Sequence, residues 1–165
     1  MAATSKSANS SKATLTMPSD RELVITRVFN APRHLVWEAM TKPEHVKRWY
    51  GLRAHETHIC EIDLRVGGKW RWGQRMPDGL EVVFSGVYRE ISPPERLVTT
   101  ECWEEMPDHG YVATLTLDER DGKTTYTNTL LYQSQADRDG HIASGMEPGM
   151  QETLDRLGDL VSSMS

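Results

Sequence analysis

The stretch "GMEPGMQETLDRLGDLVSSM" near the end of the chain constrains the fold more than any other. Met146, Met150, Leu154, Leu157, Val161 and Met164 recur every three or four residues, which places them on one stripe of a long helix. A one-sided stripe needs an apolar surface to lie on. From Glu56 to Tyr132 the chain reads as about six strands separated by Gly and Pro signals. Consecutive strands joined by tight turns make an antiparallel sheet, and its apolar face needs a cover. The final helix is the only large element available for that task. The pattern predicts an α+β domain with a sheet and helix facing each other.

Ahead of the sheet, "ELVITRVF" from Glu22 to Phe29 is β-branched and apolar, a further strand. "PRHLVWEAMT" opens with Pro32 and sets Leu35, Val36 and Met40 at helical spacing. "PEHVKRWYG" opens with Pro43 and closes at Gly51, so two short helices are expected there. Trp37 is expected to anchor the first helix to the sheet, and Trp49 to line the entrance to whatever lies beneath. Residues 1–20 are rich in Ser, Ala, Thr and Lys and are read as a disordered tail without the apolar segment of a secretory signal. The domain proper is then 21–165, a size that buries a core without disulfides.

Turn chemistry assigns side chains to faces. Met76-Pro77-Asp78-Gly79-Leu80 suits a three-residue loop that pairs Met76 with Leu80, Trp72 with Phe84 and Trp70 with Gly86. Trp70, Trp72, Gln74 and Phe84 then share one face, with Lys69, Arg71 and Arg75 toward water. A two-residue Asp-Gly loop would instead set Val83 and Val87 beside the tryptophans. Asp121-Gly122 reads as a two-residue hairpin, so Leu117 faces Tyr126, Leu115 faces Asn128, Ala113 faces Leu130 and Tyr111 faces Tyr132. The opposite face collects Thr114, Thr116, Thr125, Thr127 and Thr129, a solvated surface.

The inner face thus holds Trp70, Trp72, Phe84, Leu115, Asn128, Leu130 and Tyr132. Large rings on a curved sheet hold a covering helix off its centre and leave a hollow. The adaptable Met146 and Met150, with Leu154, would roof it. A mostly apolar hollow with a lone amide is the usual form of a small-molecule site.

Four segments in order, "RVFNAPRHLVWEAMTKPEHVKRWYG", "DLRVGGKW", "EISPPERLVTT" and "GMEPGMQETLDRLGDL", resemble the START-like, helix-grip (SRPBCC) superfamily. Within it they are similar to the branch named after the activator of a heat-shock-chaperone ATPase. The resemblance runs from about Glu22 to Val161. It implies a seven-stranded antiparallel sheet wrapped around the C-terminal helix, and a cavity that takes up hydrophobic small molecules in several relatives. Some relatives are cyclases or dehydratases of polyketides. The chaperone-activating role belongs to relatives with an additional N-terminal domain, not expected here, and is not carried over. The segment "LRAHETHIC" after "RWYG" departs from the turn common in the family, so the cavity entrance is expected to differ.

Outside the hollow the chemistry is sparse. "HETH" at His55–His58 is one residue short of a zincin pair, and no metal or cofactor site is expected. Glu104-Glu105 and Asp118-Glu119 read as solvated loop charges. His109 and His141 could each approach the cavity mouth as acid or base. Arg65, before Gly67-Gly68, would clamp its turn through carbonyls or meet an acidic ligand group. Cys60 and Cys102 form no CxxC pair, which fits a reduced, cytoplasmic protein. A net charge of −5 with interspersed signs excludes nucleic acid as the main partner, and no apolar run inserts into a membrane.

The expected function is binding of a hydrophobic or aromatic small molecule by a monomer or homodimer. The expected wall is Trp49, Trp70, Trp72, Phe84, Leu115, Asn128, Leu130, Tyr132, Met146, Met150 and Leu154. The alternatives are a cyclase-, dehydratase- or hydrolase-type enzyme in the same cavity, or a co-chaperone-like interaction module.

Overall fold

The computed structural model describes residues 12–165. Strands β1 (Thr14–Thr16) and β2 (Glu22–Phe29) precede helices α1 (Arg33–Thr41) and α2 (Pro43–Trp49). Six strands follow: β3 (Glu56–Ile62), β4 (Lys69–Arg75), β5 (Glu81–Ser92), β6 (Arg96–Trp103), β7 (Tyr111–Arg120) and β8 (Lys123–Leu131). Helices α3 (Gln135–Ala143) and α4 (Met146–Met164) close the chain. The strands form one antiparallel sheet in the order β1-β2-β8-β7-β6-β5-β4-β3.

Both diagnostic turns set the register. The Met76 amide bonds the Leu80 carbonyl at 2.8 Å, and Trp72 lies opposite Phe84 and Trp70 opposite Gly86. This is the three-residue loop, with Gly79 at φ +93°. Asp121 and Gly122 both take positive φ, 54° and 76°, the requirement of a two-residue hairpin matched to strand twist. Arg120 accordingly pairs with Lys123, Leu115 with Asn128 and Leu117 with Tyr126.

The sheet has eight strands rather than seven. The extra one, β1, lies inside the segment read as a disordered tail, of which residues 1–11 lie outside the described residues. Thr14 pairs with Thr26 and Thr16 with Val24, and the Gln151 side chain of α4 grips the Ala13 amide and carbonyl at 3.0 and 2.8 Å. The alternation Ala13-Thr14-Leu15-Thr16 is short and set in a Ser/Thr-rich stretch, so its local signal is weak, although Ala13 and Leu15 do face the core. Helix α3 was likewise not expected. Ser134 caps it by accepting the Asp137 amide at 3.1 Å, and its buried Arg138 donates to the Ser19 carbonyl at 2.6 Å.

Helix α4 lies across β2, α1 and α2. Leu157 and Val161 are fully enclosed, and Leu160 nearly so. Gly158 sits against the Phe29 ring, where an added Cβ would approach within 3.4 Å. Arg27 of β2, buried, holds Asp155 at 2.5 Å and lies 5.5 Å from the Phe29 ring centre. Trp37 is buried in this core, as an anchor for α1 should be.

Candidate ligand-binding cavity

Toward its N-terminus, α4 parts from the sheet. Beneath Met146, Met150 and Leu154 is a cavity of about 310 Å³. Strand β4 contributes Trp70 and Trp72, β5 Phe84, β7 Leu115, β8 Asn128 and Leu130, and α2 Trp49. Tyr132 does not line it. Alternation persists past the end of the strand, since Tyr132 is buried while Leu131 is exposed, and the Tyr132 amide still bonds the Arg21 carbonyl at 2.8 Å. The Tyr132 ring tilts onto Tyr111 at 4.8 Å, and its hydroxyl meets His141 Nδ1 at 2.5 Å. It borders instead a second hollow, of about 510 Å³, which shares Glu101 and Tyr111 with the first.

The aromatic side of the cavity is built from rings set edge to face. Trp72 is the hub, 5.9 Å from Trp49, 5.1 Å from Tyr50 and 5.3 Å from Trp70, at interplanar angles of 64–89°. Such geometry puts the positive ring edge on the negative face of its neighbour. The Trp49 indole donates to the Ala39 carbonyl at 2.8 Å, joining α2 to α1. The Trp70 indole reaches across β5 to donate to the Thr100 carbonyl of β6 at 3.2 Å. Gly86 makes this crossing possible, because a Cβ there would lie 1.8 Å from the Thr100 oxygen and 2.8 Å from the Trp70 nitrogen. The β5–β6 pairing skips this point, passing from Ser85↔Cys102 to Tyr88↔Thr99. The Val87 amide takes the Thr100 hydroxyl instead, at 2.9 Å.

The entrance loop is clasped by polar side chains. Gln74 Oε1 accepts the Leu52 amide at 3.0 Å, while Nε2 lies 3.1–3.2 Å from the Tyr50 and Leu52 carbonyls and the Thr57 hydroxyl. Gly51, at φ +81°, leaves the space that Gln74 fills. Arg156 of α4 caps the end of α2 through the carbonyls of Arg48, Tyr50 and Gly51. Gln74 thus faces inward as its alternation requires, and its partners are backbone groups and the Thr57 hydroxyl.

Glu101 is the functional candidate that sequence reading missed. It lines the cavity from β6, and one carboxylate oxygen accepts the Tyr111 hydroxyl at 2.7 Å. Burial pushes its pKa above the ordinary carboxylate value, opposed in part by that hydrogen bond. Burial likewise raises the phenols of Tyr50, Tyr88, Tyr111 and Tyr132, and takes Tyr126 up to about 12. His141 reaches the cavity from α3, and burial lowers its pKa toward the neutral imidazole. The signal for Glu101 was the alternation from Leu97 through Thr99, which puts a carboxylate on the inner face beside Tyr111. Asn128 Nδ2 donates to the Tyr126 hydroxyl at 3.3 Å, and its amide oxygen has no partner among the described residues.

The remaining candidates sit elsewhere. His109 bonds Asp137 at 2.8 Å on the exposed side of α3. Glu104 is not a free loop charge: it forms a two-point bridge with Arg71 at 2.9 and 3.0 Å, which lowers its pKa. Glu119 accepts the Arg33 amide at 2.9 Å. Arg65 holds the Asp63 carboxylate at 2.9 Å rather than carbonyls or the cavity rim. His58 lies where the β3–β4 register shifts, 3.1 Å from Glu81, and no cluster of three metal-ligating side chains occurs among the described residues.

A curved sheet gripping a terminal helix, with an aromatic-walled cavity under one end of that helix, defines a helix-grip protein. Residues 30–162 match the family described as "Activator of Hsp90 ATPase homolog 1-like protein", and the chain belongs to it. A crystal structure from Rhodobacter sphaeroides is similar at TM-score 0.86 and 25% identity, covering 92% of this chain and 99% of that one. CalU16 from Micromonospora echinospora is similar at TM-score 0.60 and 25% identity, over 93% of this chain and 87% of that one. An AHSA1-like protein from Aeromonas hydrophila shares the fold at TM-score 0.63 and 20% identity, over 86% and 93%. No curated protein matches the chain. No described helix is long and apolar enough to cross a membrane.

Proposed function

We propose that the chain binds a hydrophobic or aromatic small molecule between the first half of α4 and the sheet. The observation that carries this reading is the space of about 310 Å³ walled by the Trp49–Tyr50–Trp70–Trp72 rings and roofed by methionines. That volume lies at the lower end of the range for small-molecule sites, roughly 300–1,000 Å³. Binding would come from apolar surface removed from water, at about 25 cal/mol per Å². Both cysteines are free, and burial takes the Cys60 thiol up to about 11, in keeping with a reduced, cytoplasmic setting.

Uptake of the neutral probe N-phenyl-1-naphthylamine tests the reading. Its fluorescence should rise on mixing with the wild type. Met150→Asp should weaken uptake about tenfold or more while the melting temperature moves by only a few degrees. Equal uptake by the variant rejects this site.

A second reading, an acid–base enzyme of cyclase, dehydratase or hydrolase type in the same cavity, is favoured by one observation. Glu101 is an inward titratable group hydrogen-bonded to a second polar group, and such a pair is what proton transfer requires.

A further inference from the structure

The charge inventory of the cavity is one-sided. Among the described residues, no Lys or Arg lines it. Its tyrosines are held neutral by burial, and His141 is pushed the same way. Glu101 is the one Asp, Glu, Lys or Arg among the described lining residues, and any charge it carries is negative. A carboxylate offers about four acceptor positions. Among the described residues one side chain fills one of them, the Tyr111 hydroxyl, and no cation lies against the other oxygen. An ionised carboxyl enclosed without a counter-charge is costly, and the cost disappears when a cation arrives.

A second, independent feature points to the same ligand. The electron-rich faces of tryptophan and tyrosine attract ammonium groups, most strongly where water is excluded. The Trp49–Tyr50–Trp70–Trp72 cluster supplies four such rings in one wall. It stands close to the carboxylate: the Trp70 indole bonds the carbonyl of Thr100, the residue before Glu101, and Glu101 lines the same cavity as all four rings.

We infer that the cavity selects hydrophobic amines, molecules with an aromatic or alkyl body of one or two rings and an ammonium head that pairs with Glu101. This rests on the binding reading above and adds the class of its ligand. A neutral alcohol of the same shape satisfies the free acceptor but leaves the charge unmatched. A carboxylate of the same shape meets a like charge and finds no cation.

Three naphthalenes that differ in the head test it: 1-naphthylmethylammonium, 1-naphthalenemethanol and 1-naphthaleneacetate, each titrated by calorimetry at pH 7.5. The ammonium compound should bind about tenfold or more tighter than the alcohol, with the carboxylate weakest. In Glu101→Gln the ammonium compound should lose its preference of about tenfold over the alcohol. If the wild type binds ammonium and alcohol equally, the amine selectivity is wrong and the cavity reading stands. If Glu101→Gln keeps the full preference, another group supplies it and the assignment to Glu101 fails. If none of the three binds, the cavity reading falls as well. Should Glu101→Gln not fold, the wild-type ranking decides alone.

Discussion

The two halves of α4 do different things with the same kind of stripe. From Leu157 to Val161 the helix is seated: Leu157, Leu160 and Val161 are enclosed, Gly158 rests on Phe29, and Arg27 ties Asp155 to β2. From Met146 to Leu154 it spans a hollow over a wall of rings. A stripe at helical spacing guarantees that a helix covers something. The volume of the residues beneath decides whether it rests on them or bridges them. In the seated half Gly158 lets the helix settle onto Phe29, whereas under the bridging half four large rings stand edge to face.

This contrast can be broken at either end. The largest effect is expected from Leu157→Ala, which should cost roughly 2–5 kcal/mol in denaturant unfolding while leaving probe affinity of the folded protein within about twofold. Equal loss of binding would mean that the two halves act as one unit. Next comes Gln74→Ala, which strips partners from the Tyr50 and Leu52 backbone groups. A loss of about 1–3 kcal/mol is expected, with faster probe release in stopped-flow mixing as the entrance loosens.

The smallest effect should have the opposite sign. The pKa of Glu101 is raised in the folded protein, so the folded state holds a proton that the unfolded state gives up. Stability is therefore lost as pH rises from about 4.5 through the raised folded value. Glu101→Gln should raise the midpoint at pH 7.5 by about 2–4 °C, and the gain should vanish toward pH 4.5. His141, lowered by burial, removes stability below about 6.5 in both proteins, so it cancels in the difference. A variant less stable than wild type at pH 7.5 would show that the carboxylate holds the wall together rather than serving a ligand.

Legibility in the sequence followed the range of the interactions. Pro77-Asp78-Gly79 and Asp121-Gly122 state their turn types locally, and from them the pairings of Trp72 with Phe84 and Leu115 with Asn128 follow by counting. Hence Trp70, Trp72, Phe84, Leu115, Asn128 and Leu130 could be placed on one face in advance. What escaped depends on partners far along the chain. Strand β1 is held by Gln151, and His109 by Asp137. Glu101 escaped for another reason: a carboxylate in "TTECWEE" looks like one more surface acid until Tyr111 is placed across from it. Tyr132 keeps its alternation and is buried, but Tyr111 and His141 stand against its ring and hydroxyl. The cap of α3 was readable, since Ser134 three residues before Asp137 is a helix-start signal.

The indole that crosses Gly86 makes two distant codons answerable to each other. Any side chain at position 86 evicts Trp70 from its bond to the Thr100 carbonyl, and without that ring the bare segment of β5 lies uncovered. Because the Thr100 carbonyl itself stands 1.8 Å from where a Cβ would lie, position 86 must stay glycine whatever occupies 70, while position 70 must keep a ring as long as 86 is bare. Tryptophan retained at 70 beside alanine at 86 is a combination that selection should remove.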